Sequence, residues 1–334
     1  MRRSPLLHST AVAFGLALAL GLGASPEACR AQDSESSFDF HGYGQLSRLH
    51  DADGPDSGNE WDYDVAALTV WHVRPDLHLW GQVSRYRYRK RTQIEWAFID
   101  WDATSADSLR LGQARVPAGL LNEPRDVQAL RNSASVPMMY EGSGSLVDEV
   151  MRGAIWEHRT SGRITMESWI GGTLTADESQ PQSARVAGAR VQWTSEAADW
   201  TLTASGYTGD AAGGALPGRP PRHLWMVGGR HEAGPWALSF ELARSAASGA
   251  LSTSAYAQAD FALADAHAFF VRADDLAHGQ QPGISATGRT RLAGGYAWKV
   301  GPQWGWRLEA GTNRGRGTSH DAWNDVVASI DFYL

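Results

Sequence analysis

Between Ser84 and Arg89 a cation alternates with a phenol ring: Arg85, Arg87 and Arg89 occupy every second position, and Tyr86 and Tyr88 lie between them. On an extended strand, residues two apart share a face. The three guanidinium groups would then form a ladder, with both rings on the opposite face. Such a ladder suits carboxylates and phosphates, because each guanidinium presents a fork of N–H donors. Further along stand Glu95, Glu123, Arg125, Asp126, Arg131 and Arg152. Opposite charges set across a wet gap create a transverse field that orients dipolar solutes as they pass. The same residues could pair with one another and fix the width of that gap, and the two roles are compatible.

Signals for bond-making chemistry are weak. The chain has no Gly-x-Ser-x-Gly, no His-Glu-x-x-His and no glycine-rich phosphate loop. His231-Glu232 runs into Ala233-Gly234-Pro235, a turn rather than a zinc-binding helix. The eleven histidines are scattered and are expected to be hydrogen-bonded wall or surface residues. Asp274-Asp275 and His320-Asp321 lie near loops and are the best foothold for an enzymatic reading. No cofactor or metal is expected.

The elements that would carry these side chains follow from the ends and the periodicity. Arg2 and Arg3 precede an apolar stretch from Ala11 to Ala24 and then small residues around Cys29 and Ala31. This is the layout of a secretory leader, with residues 1–31 removed and 32–334 forming the mature chain. The apolar stretch is too short to span a bilayer as a helix. Residues Pro26 to Ala28 fit poorly with lipid modification of Cys29. Cleavage would remove the single cysteine, and with it any disulfide or thiolate chemistry. It would also remove Arg2, Arg3, Arg30 and Glu27, taking the formal charge from −7 to −9. That balance argues against nucleic acid as a partner.

From Phe38 onward the chain breaks into short segments of period two. In the last of them, Val326, Ala328, Ile330, Phe332 and Leu334 fall on one face, and Val327, Ser329, Asp331 and Tyr333 on the other. Trp304, Trp306 and Leu308 alternate with Gly305, Arg307 and Glu309. Trp236, Leu238, Phe240 and Leu242 alternate with Ser239, Glu241 and Ala243. An apolar outer face with charges on the inner face is the pattern of a transmembrane barrel with a wet lumen.

About sixteen such segments can be placed, an even number with each near the length of a tilted span. Tight turns such as Arg74-Pro75-Asp76, Thr160-Ser161-Gly162 and Ala233-Gly234-Pro235 alternate with longer linkers such as Thr175 to Ala184 and Asp210 to Arg222. This sorting of connections is how outer-membrane barrels are built. The expected fold is therefore all-β, a transmembrane antiparallel β-barrel of about 16 strands.

One connection is out of scale. Residues 117–149, in the third long loop, show little alternation, and a loop of that length is functional or disordered. At its entry stand Gly112, Pro117, Gly119, Asn122 and Glu123, within the run from Leu109 to Asp126. This resembles the Gly-x-x-x-x-Pro-x-Gly-x-x-Asn-Glu entry of porins related to the phosphate-selective O and P group. The barrel plan as a whole resembles the porin superfamily. The final segment resembles the strand by which outer-membrane proteins are recognised for insertion, although Leu334 stands where that group has an aromatic residue.

The resemblance implies a passive pore in the cell outer membrane, with the third loop folded inward as the constriction and a homotrimeric assembly. Its partners would be outer-membrane lipid, lipopolysaccharide and small hydrophilic solutes or ions. An anion- or phosphate-selective channel is the alternative within transport, with the arginine ladder as its track: arginine on a lipid face at mid-depth costs about 2–4 kcal/mol, so the ladder would point into the lumen, unless it sits at the outer rim, where it would meet anionic lipopolysaccharide or water and select nothing. A barrel enzyme or a closed structural barrel is the alternative of another class.

Overall fold

The computed structural model describes residues 36–333 except 53–57, 87–90, 125–130, 142–144, 161, 174–182, 212–221, 248–249, 279–286 and 318–321. The expected leader and Leu334 lie outside the described residues. Among the described residues sixteen strands follow one another: β1 (Ser37–Ala52), β2 (Gly58–Arg74), β3 (Leu77–Tyr86), β4 (Arg91–Asp102), β5 (Asp107–Arg115), β6 (Val150–Thr160), β7 (Ile164–Thr173) and β8 (Ser183–Thr194). The second half comprises β9 (Trp200–Ala211), β10 (Arg222–Ala233), β11 (Trp236–Ala247), β12 (Ala250–Ala264), β13 (His267–His278), β14 (Thr287–Gly301), β15 (Trp304–Arg316) and β16 (Ala322–Tyr333). Each strand pairs with its chain neighbour, and β1 pairs antiparallel with β16 from Tyr43↔Tyr333 to Ala52↔Asn324. The sheet is thus closed, and closure leaves no edge strand to template aggregation.

Register follows from the alternation. Trp236, Leu238, Phe240 and Leu242 are 41–54 % exposed on the outside of β11, whereas Glu241 between them is fully buried. Arg307 and Glu309 are likewise buried on β15, between exposed Trp306 and Leu308. A one-residue slip would exchange the two sets, so each strand's register is strongly specified. Exposed tryptophans cluster beside the short turns, among them Trp71, Trp101, Trp193, Trp200, Trp236 and Trp304. Indole rings favour such a boundary, with an apolar body on one side and a polar N–H for the other.

Several strands are longer than one span requires. β2 has 17 residues and β1 has 16, so their ends continue into the rim on the side of the long connections. Those connections alternate with turns as short as Gly234-Pro235, where Gly234 has φ of 57°. Among the described residues no helix is long and apolar enough to cross a membrane, which says nothing about a barrel that crosses with strands.

Candidate functional site

The candidate site is the segment between β5 and β6 together with the inner-face side chains it meets. Its root is fixed by residues of the entry run. Gly112 has φ of 139°, and a Cβ there would lie 2.3 Å from the carbonyl oxygen of Ala97. Gly119 has φ of 69°, and a Cβ would lie 2.2 Å from the Tyr140 hydroxyl and 2.5 Å from Glu241 Oε1. Both positions therefore require glycine on backbone and steric grounds. The Asn122 amide donates to the carbonyls of Val116 (2.7 Å) and Asp148 (3.0 Å), joining the two ends of the segment.

From this root the segment is held by side chains of strands remote in sequence. Glu241 on β11 accepts from the Tyr140 hydroxyl at 3.0 and 2.8 Å and from the Leu120 N–H at 2.7 Å. The Met138–Tyr140 3₁₀ turn is capped by Asp274 on β13, which accepts from the Met138 N–H at 3.2 Å. Glu309 on β15 accepts from the N–H groups of Ala134 (2.9 Å) and Ser135 (3.1 Å) and pairs with Arg291 at 2.8 Å. Arg272 on β13 donates to the carbonyl (3.0 Å) and the hydroxyl (2.7 Å) of Ser135. Near the return, Arg222 on β10 pairs with Asp148 at 3.0 Å, and the Asp148 N–H donates to the Tyr207 hydroxyl at 2.8 Å. Val116, Met138, Met139, Tyr140, Leu146 and Val147 are buried against Met151, Ile155, Leu224 and Met226. The ion pairs thus surround an apolar seam and do not hold the segment alone.

Charge at the site is mostly paired. Glu123 binds Arg110 on β5 (3.0 Å) and Arg190 on β8 (2.5 Å), and Arg190 also binds Glu167. Burial alone would raise the Glu123 carboxyl, but the two arginines outweigh it and hold it below the ordinary carboxylate value. Tyr140 is pushed well above its ordinary value by burial and by the Glu241 charge. Arg131 differs. Its backbone carbonyl accepts from Arg307 at 3.5 Å, but its buried Nε and Nη1 have no hydrogen-bond partner. Burial and the neighbouring Arg307 and Arg272 push it down to about 9.

The remaining expected residues divide. Glu95 is buried on the inner wall and pairs with Arg115 at 3.2 Å. Arg125, Asp126, Arg87 and Arg89 lie outside the described residues, as do His320 and Asp321. Arg85 and Arg152 correct the expectation that they line a lumen. On β3 the inner positions are fully buried Gln82 and Ser84, so Arg85 shares the outer face with Val83 and bonds to Thr92 at 3.4 Å. On β6 the inner positions include Met151, Ile155 and Glu157, which leaves exposed Arg152 on the face of Trp156, 3.4 Å from Gln113.

Asp274 and Asp275 point to opposite faces. Asp274 is buried against Arg272 (2.8 Å) and exposed Asp275 pairs with Arg316 (2.5 Å), so the two do not form a catalytic dyad. The sequence reading missed Tyr140, Glu241, Arg272, Arg291 and Glu309. Of these only Glu241, Arg291 and Glu309 carried a signal, as charges on the inner parity of apolar strands.

No protein-family model matches the chain, and no curated protein is similar to it in sequence. Solved structures do match over nearly its whole described length. An anion-selective porin from Comamonas acidovorans superposes with a TM-score of 0.69 at 11% identity, covering 90% of this chain and 100% of that one. The fold is that of an outer-membrane β-barrel. Salmonella typhi OmpF aligns with the barrel at a TM-score of 0.68 and 11% identity, over 90% of this chain and 98% of that chain. OmpT, an outer membrane protein of Vibrio cholerae, aligns at 0.64 and 13% identity, over 91% and 99%. At such identities the likeness to these outer-membrane proteins is one of fold.

Proposed function

We propose that the protein is an outer-membrane porin, exported through its leader, that lets small hydrophilic solutes or ions diffuse passively. The observation that carries this reading is the segment 117–149, tethered to inner-face side chains from β8 to β15. A segment so placed occupies part of the lumen and fixes the width of what remains. Glu123 serves in this reading as an anchor, Arg131 lines the narrowed passage, and Arg125 and Asp126 lie between them in sequence. Glu95 holds the wall through Arg115. By analogy with the trimer form of Vibrio cholerae OmpT, the working unit is a homotrimer in lipid and lipopolysaccharide.

A preference for anions is the second reading, and Arg131 favours it. Arg131 is partly exposed and stands beside Arg307 and Arg272, whose like charges disfavour its own, so a passing carboxylate or phosphate that meets its exposed part would be stabilised there. The relation to the phosphate-selective O and P group rests on the entry run, whose glycines and Asn122 act in holding the segment. Reversal potentials under a salt gradient, for wild type and Arg131→Ala, test both readings together. A pore whose anion preference falls in the variant supports them. A pore of unchanged selectivity removes the anion reading, and folded protein without conductance removes the porin.

A further inference from the structure

A row of chemistry-bearing side chains crosses the inner face close to the short turns. His72 on β2 is register partner of His78 on β3, which is register partner of Asp100 on β4. The two imidazole Nδ1 atoms stand 2.8 Å apart with the rings edge to face, and Asp39 on β1 lies 2.9 Å from His72 Nε2. His72 and Asp39 are 35% and 54% exposed in their side chains, so the row is open to solvent at the mouth of the barrel.

The hydrogen bonding fixes the tautomers. A carboxylate only accepts, so His72 Nε2 carries hydrogen and its Nδ1 presents a lone pair toward His78. The His78 Nδ1 supplies the hydrogen between them. Two imidazole nitrogens therefore converge on one point, and a carboxylate buttresses one ring from behind. That is the carboxylate–histidine arrangement that orients imidazole toward a metal ion.

We propose that His72 and His78 form a binding site for a borderline-soft divalent cation such as Zn²⁺, with Asp39 as the positioning residue. Two nitrogen ligands of a tetrahedral ion at about 2.0–2.1 Å each stand about 3.3 Å apart, so the rings separate by roughly half an ångström. On binding, His78 loses its Nδ1 hydrogen and gains one at Nε2, so that each ring offers a lone pair at Nδ1. Among the described residues no three His, Cys, Asp or Glu side chains stand at ligating separation, so water completes the coordination. Asp100 faces the site from β4, with one oxygen buried and unpartnered and the other 3.7 Å from Arg110 on β5. It adds negative charge that Arg110 offsets in part. Imidazole nitrogen with water suits Zn²⁺, Cu²⁺ and Ni²⁺ over Mg²⁺ or Ca²⁺.

The site does not depend on the porin reading, because it can be tested on the full folded chain in detergent. Calorimetric titration with ZnCl₂ at pH 8 is expected to show one ion per chain, with MgCl₂ giving no heat of binding. His72→Ala and His78→Gln are each expected to weaken uptake at least tenfold. Asp39→Asn is expected to weaken it by about 10–100-fold through loss of the buttress. His158→Ala, which removes a histidine paired with Asp107 on the outer face, leaves uptake unchanged. Heat-modifiable migration on gels verifies that each variant is folded. Absence of saturable Zn²⁺ uptake by wild type, or equal uptake by folded His72→Ala and His78→Gln, would overturn the proposal.

Discussion

Tyr140 and Glu241 are 101 residues apart in sequence and meet through a buried hydroxyl that donates to both oxygens of the carboxylate, at 3.0 and 2.8 Å. Glu241 is fully buried, and it also accepts from the Leu120 N–H at the segment root. One carboxylate therefore ties the beginning and the turn of the segment to β11. Tyr140→Phe removes a hydroxyl that this charge needs, at a cost of about 1–3 kcal/mol. The expected outcome is a lower denaturation midpoint and more frequent current fluctuations in bilayers, from a segment held at fewer points.

Gly119 and Gly162 make a matched pair of substitutions. Both have positive φ, 69° and 75°, but a Cβ at Gly162 meets nothing within 4 Å, while at Gly119 it meets Tyr140 and Glu241. Gly162→Ala is expected to cost only about 1–2 kcal/mol for the left-handed backbone. Gly119→Ala adds the steric conflict and is expected to destabilise more, with altered conductance. Urea midpoints of the two variants check this, and equal midpoints would contradict the described packing.

Acid should loosen the root of the segment. The folded-state value of Glu123 is depressed below its unfolded value by Arg190 and Arg110. Its contribution to stability is therefore present above about pH 4.5, the ordinary carboxylate value, and is lost as pH falls through the lower folded value. Wild type is expected to lose more stability between pH 7 and pH 3 than Glu123→Gln, measured by urea unfolding at each pH. A variant with the same pH dependence as wild type would remove Glu123 from this role.

Arg85 and Arg152 separate what strand alternation tells from what it does not. Arg85→Ala and Arg152→Ala are expected to leave conductance and ion selectivity unchanged, since both lie on outer faces; reversal potentials check this. The alternation placed Arg85 on one face of its strand, and the identity of that face was legible nearby. Val83 shares the parity of Arg85, and Ala154 and Trp156 share that of Arg152. Apolar companions mark the outer face, and that signal carried more weight than the expectation that arginine avoids lipid.

Elsewhere the periodicity read true. The expected segments from Phe38 to Tyr333 correspond to β1–β16, because period-two patterning and turn residues are local properties. Attachment of the segment was not legible. Ser135 and Glu309 are 174 residues apart, and nothing local in either names the other. The entry run announced a special connection at Gly112, Gly119 and Asn122, whose backbone demands are local; which charge binds which is a property of the closed barrel.

The most direct test of the account is single-channel current through the folded wild-type protein in planar bilayers, with neutral polymers of graded size added to find the width of the passage. A pore narrowed by the segment gives steady ohmic steps and a narrow size limit that widens when Tyr140→Phe and Glu309→Gln release the segment. Absence of steps from protein shown to be folded, or a size limit unmoved by both releases, would contradict a pore narrowed by residues 117–149.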